Sequence, residues 1–156
     1  MDLPVFQIER LTNLLKGACT EWQFKFTAQT ESTNSDLKLY PAQMLEKPFL
    51  LITDEQLGGR GQLSKKWAAN PGENILCSIA LKPKKSKGLQ LLGLLTAVSI
   101  VEAISKLNSS LQTEIKWPND VLINGKKVAG ILVEPQYVAN SVEKVIIGFG
   151  LNVNQA

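Results

Sequence analysis

A glycine-rich and basic segment, residues 58–67, is the first place in this sequence where chemistry is expected. It reads GGRGQLSKKW and holds three glycines, three cations and one tryptophan. Its spacing fits neither a Walker phosphate loop nor a dinucleotide fingerprint, whose third glycine would stand at Ser64. Such backbone can fold over a ligand while Arg60 pairs with a carboxylate or a phosphate. A solvated hairpin loop that carries a stray arginine is the alternative that these residues leave open.

A second candidate segment is KWPND at residues 116–120, which KKVAG follows at residues 126–130. One interpretation is structural, because tryptophan before proline is held extended and Asn119 and Asp120 can bond to nearby backbone in a turn. The functional interpretation makes Asp120 a partner of magnesium or of a hydroxyl, and Lys127 a cation over a reacting phosphate.

The two adjacent lysines of that segment cannot both face a ligand. Neighbouring residues of a strand point to opposite faces of the sheet, so only one of Lys126 and Lys127 can point inward. Lys127 is expected to share a face with Ala129 and Ile131.

Two further clusters combine small residues with hydrogen-bonding ones. Gly148 and Gly150 lie in a predicted strand, where glycine permits close approach by a ligand or another backbone. A β-bulge or packing against the long helix is the alternative there. Ser32, Thr33 and Asn34 are in the first place typical of a helix cap; a group of hydrogen-bonding partners for a polar ligand is the second interpretation.

The chain of 156 residues contains no histidine, which restricts its chemistry. Ser-His and Cys-His nucleophile pairs and histidine-ligated metal sites are excluded, so carboxylates, lysine, arginine and backbone dipoles remain. The net charge of +3 suits an anionic ligand as readily as weak contact with nucleic acid. The basic segment 82–87 lacks the interleaved aromatic residues that stack on bases, which disfavours an RNA-binding domain.

Hydrophobic periodicity predicts the elements that must hold these residues in place. Gly17 is expected to stop the first helix, and Asn124-Gly125 favours a type I′ hairpin turn. The resulting fold class is α+β, with a mixed or antiparallel sheet packed against helices. The predicted helices cover residues 5–15, 37–45 and 89–107, and the predicted strands cover 22–27, 49–53, 74–81, 113–116, 121–123, 128–133 and 144–153.

Composition and the N-terminal residues favour the cytoplasm. The N-terminus lacks a basic segment followed by a long apolar run, so no secretion signal is expected. The two cysteines, Cys19 and Cys77, have no metal-site spacing. The apolar segment 89–107 carries Gln90, Glu102 and Lys106, and we expect it to be a buried helix rather than a membrane span.

The order and spacing of these motifs resemble the biotin protein ligases, the biotin–[acetyl-CoA-carboxylase] ligases. The resemblance runs from about Thr30 to Gln155, through Glu31-Ser-Thr-Asn, Asp54-Glu-Gln-Leu-Gly-Gly-Arg-Gly, KWPND, KKVAGILVE and GFGLNVN. It implies a fold like that of class II aminoacyl-tRNA synthetases. It also implies an enzyme that makes biotinyl-5′-adenylate from biotin, ATP and Mg²⁺, then transfers biotin to a lysine of a biotin carboxyl carrier domain.

The resemblance also implies roles for individual residues. Arg60, Lys127 and Asp120 would be catalytic, with Asp120 near the metal and a hypothetical acceptor of the carrier lysine's proton. The residues implied to bind biotin are Ser32, Thr33, Asn34, Gln56, Arg60, Gly61, Gln62, Lys127 and Gly130. Those implied to bind ATP or the adenylate are Arg60, Trp67, Asn119, Lys127 and Asn152.

Adenylate formation agrees with a chain that has no histidine. The attacking group is a carboxylate that is already ionised, so this step needs positioning and charge neutralisation rather than a general base. Gln62 departs from the family pattern, since many members have arginine there, and its neutral side chain removes one cation over the adenylate.

Residues 1–156 are expected to form one catalytic domain that is incomplete at its C-terminal end. No N-terminal winged helix and no C-terminal β-barrel domain are expected, and without a winged helix DNA is not a predicted partner. A membrane is not a predicted partner either, and a homodimer is left open. Two alternatives remain. One is a lipoate-type acyl-protein ligase, and the other is a biotin-binding module that lacks transfer activity because it is truncated.

Overall fold

A seven-stranded mixed sheet forms the centre of the computed structural model, which describes residues 8–18 and 20–155. Strands lie in the order β1-β2-β3-β7-β6-β5-β4; β1 and β2 are parallel, and the other neighbouring strands are antiparallel. This confirms the predicted α+β class. The elements are α1 (Ile8–Ala18), β1 (Gln23–Thr30), α2 (Thr33–Leu39), β2 (Phe49–Gln56), β3 (Asn74–Leu81), α3 (Leu92–Leu107), β4 (Thr113–Lys116), β5 (Asp120–Ile123), β6 (Lys126–Val138) and β7 (Ser141–Asn152).

Helices α3 and α2 cover opposite faces of the sheet, so β7 is buried on both faces from Lys144 to Gly148. The larger core lies between the sheet and α3, where Ala97, Ile100 and Ile104 pack against Ile131 and Ile147 among others. On the opposite face, Leu37 of α2 packs in a smaller cluster with Leu45, Leu51, Ala80 and Ile146. From Lys144 onwards, strand β7 therefore sends odd-numbered side chains to α3 and even-numbered ones to α2.

The long helix α3 is less buried than its composition predicts. One side packs in the core, but Leu95 is 61% exposed and Leu107 is 88% exposed. Within the described residues, the stretch 89–107 is the one helical segment long and apolar enough to cross a membrane, judged by length and composition alone. Its packed side makes it a core helix on one face of the sheet, and the predicted burial applies to that side alone.

Helix α2 begins and ends earlier than predicted, and proline explains where it ends. The expected range was 37–45, whereas the helix spans Thr33–Leu39 and Ser32 takes the N-cap position. Pro41 disfavours helical geometry at the preceding residue, and Tyr40 is extended with φ −67° and ψ 126°. Part of the cap-rich segment is thus the helix itself.

The first helix and several strands also differ from their predicted bounds. Helix α1 continues through Gly17 to Ala18, so Gly17 does not stop it; the predicted residues 5–7 lie outside the described part of the chain. Strands β2 and β6 are longer than predicted, and their added residues include Gln56 and Lys127, which line a cleft on the α2 face of the sheet.

The β5–β6 hairpin confirms the predicted turn and corrects the predicted face of Lys127. Asn124 and Gly125 both have positive φ, at 50° and 76°, as a type I′ turn requires. Beyond the turn, Leu122 pairs with Lys127 while Val121 pairs with Ala129, so Val128 is an extra residue in a β-bulge. Val128 and Ala129 both pack against the α3 core, and Lys127 lies with Gly130 on the opposite face.

We expect substitution of Gly125 by alanine to destabilise the protein through backbone strain alone. A methyl group at this position would meet no atom within 4 Å, but its φ of +76° disfavours any side chain. The free energy of unfolding should fall by about 1 kcal/mol in denaturant titration. Gly17→Ala is the matched control, since it also has open space but lies in a helix, and it should raise stability by about 0.5–1 kcal/mol. Equal effects of the two substitutions would contradict this account.

Candidate functional site

Three segments meet on the α2 face of the sheet and enclose a cleft of about 460 Å³, including its open mouth. They are the N-terminus of α2, the glycine-rich segment 58–67 between β2 and β3, and the facing stretches of β6 and β7. The cleft is lined by most of the residues that the sequence singled out: Ser32, Thr33, Asn34, Gln56, Arg60, Gly61, Gln62, Trp67, Asn119, Lys127 and Gly130. Of the other two, Asp120 contacts the lining residue Lys127, and Asn152 lies further along β7, outside the lining.

The inner end of the cleft is a buried polar network centred on Thr33. Its backbone N–H donates to Gln56 Oε1 at 2.8 Å, and its hydroxyl lies 3.1 Å from the same oxygen and 2.6 Å from Ser78 Oγ. Ser78 in turn donates to Asn34 Oδ1 at 2.5 Å. Sequence reasoning missed Ser78, which the structure shows to be fully buried. The usable signal was a serine inside the otherwise apolar run ILCSIAL.

Glycines in β6 and β7 let other side chains lie directly on the sheet. An added Cβ at Gly148 would lie 1.9 Å from Asn34 Oδ1, and one at Gly150 would lie 2.4 Å from the Trp67 ring. Gly130, which pairs with Gly150 across the strands, has the same ring 2.7 Å from its Cβ position. These glycines face α2 and the glycine-rich segment, so packing against the long helix does not explain them.

Lys127 stands between an acid and an aromatic ring. Its Nζ lies 2.8 Å from Asp120 Oδ1 and 5.5 Å from the centre of the Trp67 ring. Asn119, next to Asp120, donates from Nδ2 to the Ile131 carbonyl at 2.9 Å and is thereby fixed to β6. The β-bulge is what brings Lys127 to this face, so one extra residue in β6 places the cation in the cleft.

Three buried polar atoms of the residues singled out by the sequence have no hydrogen-bond partner within the described residues: Trp67 Nε1, Asp120 Oδ1 and Asn152 Oδ1. Asp120 Oδ1 has only the ion pair with Lys127, whose geometry is not that of a hydrogen bond. A buried polar group without a partner is costly, so such atoms are candidates for contact with a ligand.

Glu134 is the second functional residue that sequence reasoning missed. Its carboxylate accepts hydrogen bonds from Asn34 Nδ2 at 2.8 Å and Lys38 Nζ at 2.6 Å, and it pairs with both guanidinium NH groups of Arg60 at 3.0 and 3.3 Å. Burial raises the pKa of Glu134, but the bonds from Lys38 and Asn34 and the charge of Arg60 outweigh it, so the net pKa lies below the ordinary value. The sequence did offer a signal for Glu134, because it is the last residue of the KKVAGILVE motif.

Comparisons with known proteins agree with this arrangement. The sequence model of the biotin/lipoate A/B protein ligase family matches residues 26–152. The chain belongs to this family. It is 45% identical over 107 residues to the bifunctional ligase/repressor BirA of Bacillus subtilis, covering 68% of this chain and 33% of that protein. It is 35% identical over 161 residues to the biotin–[acetyl-CoA-carboxylase] ligase of Mycobacterium tuberculosis, covering 98% of this chain and 58% of that one.

A solved structure gives the same assignment. The biotin protein ligase from Aquifex aeolicus in complex with biotin and ATP superposes with a TM-score of 0.72 at 32% identity, over 85% of this chain and 53% of that chain. The expected resemblance to the biotin protein ligases is confirmed. The chain spans between a third and three fifths of the length of these relatives.

The carboxylates available in this site determine whether it fits the predicted magnesium ion. Within the described residues, no group of three or more His, Cys, Asp or Glu side chains could hold a metal. Asp120 offers one carboxylate, which is already paired with Lys127. Mg²⁺ commonly binds through one or two carboxylates together with substrate phosphates and water, so Asp120 fits such an ion only when phosphate oxygens complete its shell.

We expect the Glu134→Gln variant to remove a pH-dependent part of the stability. Because the pKa of Glu134 is lowered in the folded state, its contribution is present above the ordinary pKa of about 4.3 and is lost as the pH falls through the lower folded value. Near pH 7 the variant should unfold with about 1–2 kcal/mol less free energy than the wild type, and the difference should vanish at low pH.

Glu114→Gln is the control for that measurement, since Glu114 is exposed on β4. It should leave the pH profile of the unfolding free energy unchanged. A wild-type and Glu134→Gln difference that stays constant from pH 7 to pH 3 would contradict the assignment of charge to Glu134.

Proposed function

We propose that this chain activates biotin with ATP to form biotinyl-5′-adenylate and then transfers biotin to a lysine of a biotin carboxyl carrier domain. The observation that carries the proposal is the position of Lys127, a cation beside the aromatic and glycine-lined part of a cleft whose other end is a buried polar network. A ligand with a polar head and an ionised carboxylate fits that distribution. The relatives named as biotin ligases support the choice of biotin.

The polar end of the cleft suits the ureido group, which offers one carbonyl acceptor and two N–H donors. Ser32, Thr33 and Asn34 are each at most 4% exposed, and their hydroxyl and amide groups include both hydrogen-bond donors and acceptors. Gln56 and Ser78 fix the orientation of Thr33, so these groups are held in place before a ligand enters. Preorganisation of this kind lowers the entropic cost of binding.

The other end of the cleft suits the reacting carboxylate and phosphate. Lys127 neutralises negative charge that develops as the carboxylate of biotin attacks the α-phosphate of ATP, and pyrophosphate leaves. Mg²⁺, held by Asp120 and phosphate oxygens, supplies further neutralisation of the phosphates when it is bound. The unpartnered Trp67 Nε1 and Asn152 Oδ1 lie beside this end and are available to the adenine.

Arg60 and Gln62 belong to the segment that borders the cleft on the solvent side. Arg60 is paired with Glu134, and the backbone of Gly61 donates to the Lys65 carbonyl at 2.7 Å, which closes the segment into a tight turn. We infer that the adenylate draws Arg60 from Glu134 towards its phosphate. Gln62 adds no charge there.

The transfer step requires the carrier's lysine to lose a proton before it attacks the mixed anhydride. Asp120 is the proposed acceptor, since it is the carboxylate in contact with Lys127. The lysine nitrogen then forms an amide with biotin, and AMP leaves.

We further propose a cytoplasmic location. Cytoplasmic conditions would keep the thiol of Cys77 reduced, and among the described residues Cys77 is a buried free cysteine.

We expect the Lys127→Met variant to lose adenylate formation while it keeps the fold. Pyrophosphate release that depends on biotin should fall in kcat/KM by about 100-fold or more, which corresponds to roughly 2.7 kcal/mol of transition-state stabilisation. Lys126→Met is the matched control, because Lys126 is exposed beside the turn, and it should retain the wild-type rate.

The same assay separates the alternatives. Pyrophosphate release with lipoate but not with biotin would identify a lipoate-type ligase and contradict the proposal. Biotin binding in calorimetry without pyrophosphate release, or without incorporation of labelled biotin into a carrier domain, would identify a binding module. Equal losses in the Lys126 and Lys127 variants would contradict the role of Lys127.

A further inference from the structure

Lys144 is a buried lysine whose ammonium group meets only backbone oxygens. The residue is 4% exposed and lies on β7, on the face that carries Gly148. Its Nζ donates to the carbonyls of Leu37, Lys38 and Tyr40 at 2.9, 2.7 and 2.5 Å. Within the described residues, no carboxylate lies within ion-pair distance of it.

These three carbonyls are at the C-terminal end of α2, where a helix leaves its last oxygens without partners. The Asp36 carbonyl is satisfied by the N–H of Tyr40, but the Leu37 carbonyl would need the N–H of residue 41, and Pro41 has none. An ammonium group has three donors, and here each one reaches a different carbonyl. Its positive charge also complements the negative end of the helix dipole.

Helix α2 depends on such anchors because it is only seven residues long. A helix of this length is not stable on its own in water, so contacts with the sheet must fix its position. Strand β7 supplies contacts at both ends: Lys144 holds the C-terminal carbonyls, and Gly148, about 13 Å further along the same face, leaves space for Asn34 near the N-terminus.

We propose that Lys144 is a positioning residue, which fixes α2 so that Thr33 and Asn34 stand at the distances that the polar end of the cleft requires. Without its ammonium group the last turn of α2 frays. Lys38 then separates from Glu134. Thr33 and Asn34 in turn lose the positions in which they form hydrogen bonds with Gln56 and Ser78. The choice of biotin as the ligand in the test rests on the proposed function.

The test compares two variants that both weaken the protein. Lys144→Met keeps the apolar stem and removes the three donors, whereas Ile104→Ala opens a cavity in the α3 core on the opposite face of the sheet. Each variant is titrated with biotin by calorimetry and assayed for biotin-dependent pyrophosphate release, and amide hydrogen exchange is followed at residues 33–40.

We expect Lys144→Met to bind biotin at least about 10-fold more weakly, a loss of 1.4 kcal/mol. Its KM for biotin should rise while kcat at saturating biotin is retained, and exchange should accelerate at residues 33–40 but not in β7. Ile104→Ala should bind biotin like the wild type. Wild-type affinity in Lys144→Met, or an equal loss in Ile104→Ala, would overturn the proposal.

Two further outcomes are also decisive. If the wild type binds no biotin, the proposed function fails, and the role of Lys144 is judged by hydrogen exchange alone: acceleration confined to residues 33–40 sustains it, and uniform or absent acceleration overturns it. If Lys144→Met does not fold, Lys144→Arg replaces it. Arginine keeps the buried charge but cannot bring one nitrogen to three carbonyls, so the same selective exchange is expected, and its absence overturns the proposal.

Discussion

The contact of Asn34 with the backbone of β7 is the constraint on which the site depends. Asn34 lies so close to Gly148 that no side chain fits beneath it, and its two amide atoms bond to Ser78 and Glu134. This contact fixes the N-terminal turn of α2 against the sheet. From there, the polar network sets the position of Thr33 and Gln56, and Glu134 sets that of Arg60 and Lys38. The cleft is therefore held together by side-chain bonds across three segments, in addition to the apolar cluster that Leu37 of α2 forms with the sheet.

Charge is distributed in the site so that cations meet carboxylates before any ligand binds. Glu134 pairs with Lys38 and Arg60, and Asp120 pairs with Lys127. An anionic ligand can therefore pair with a cation that is already oriented. The carboxylate that held this cation before remains close to it. The proposed adenylate formation is compatible with a chain that has no histidine, because that step needs oriented positive charge more than it needs proton transfer.

Much of the fold followed from local patterns, and the errors have physical causes. Alternation of apolar residues located the strands, and Asn124-Gly125 located the turn, since both depend on a few neighbouring residues. The end of α2 differs from the predicted one because Pro41 restricts Tyr40 to extended geometry, which the periodicity of apolar residues does not reveal. The face of Lys127 was wrong because a β-bulge depends on pairing with β5, which strand periodicity does not reveal. Ser78, Glu134 and Lys144 gain their importance from residues distant in sequence, so pattern reasoning had little access to them.

The most direct test is calorimetric titration of biotin into the Gly148→Ala variant, with Asn34→Ala and the double variant measured beside it. The account predicts that Gly148→Ala folds, as judged by circular dichroism and denaturant unfolding, and shows no measurable binding of biotin. It also predicts that the double variant is no worse than Asn34→Ala alone, because the added methyl group acts by displacing Asn34. Wild-type affinity for biotin in a folded Gly148→Ala variant would contradict the account.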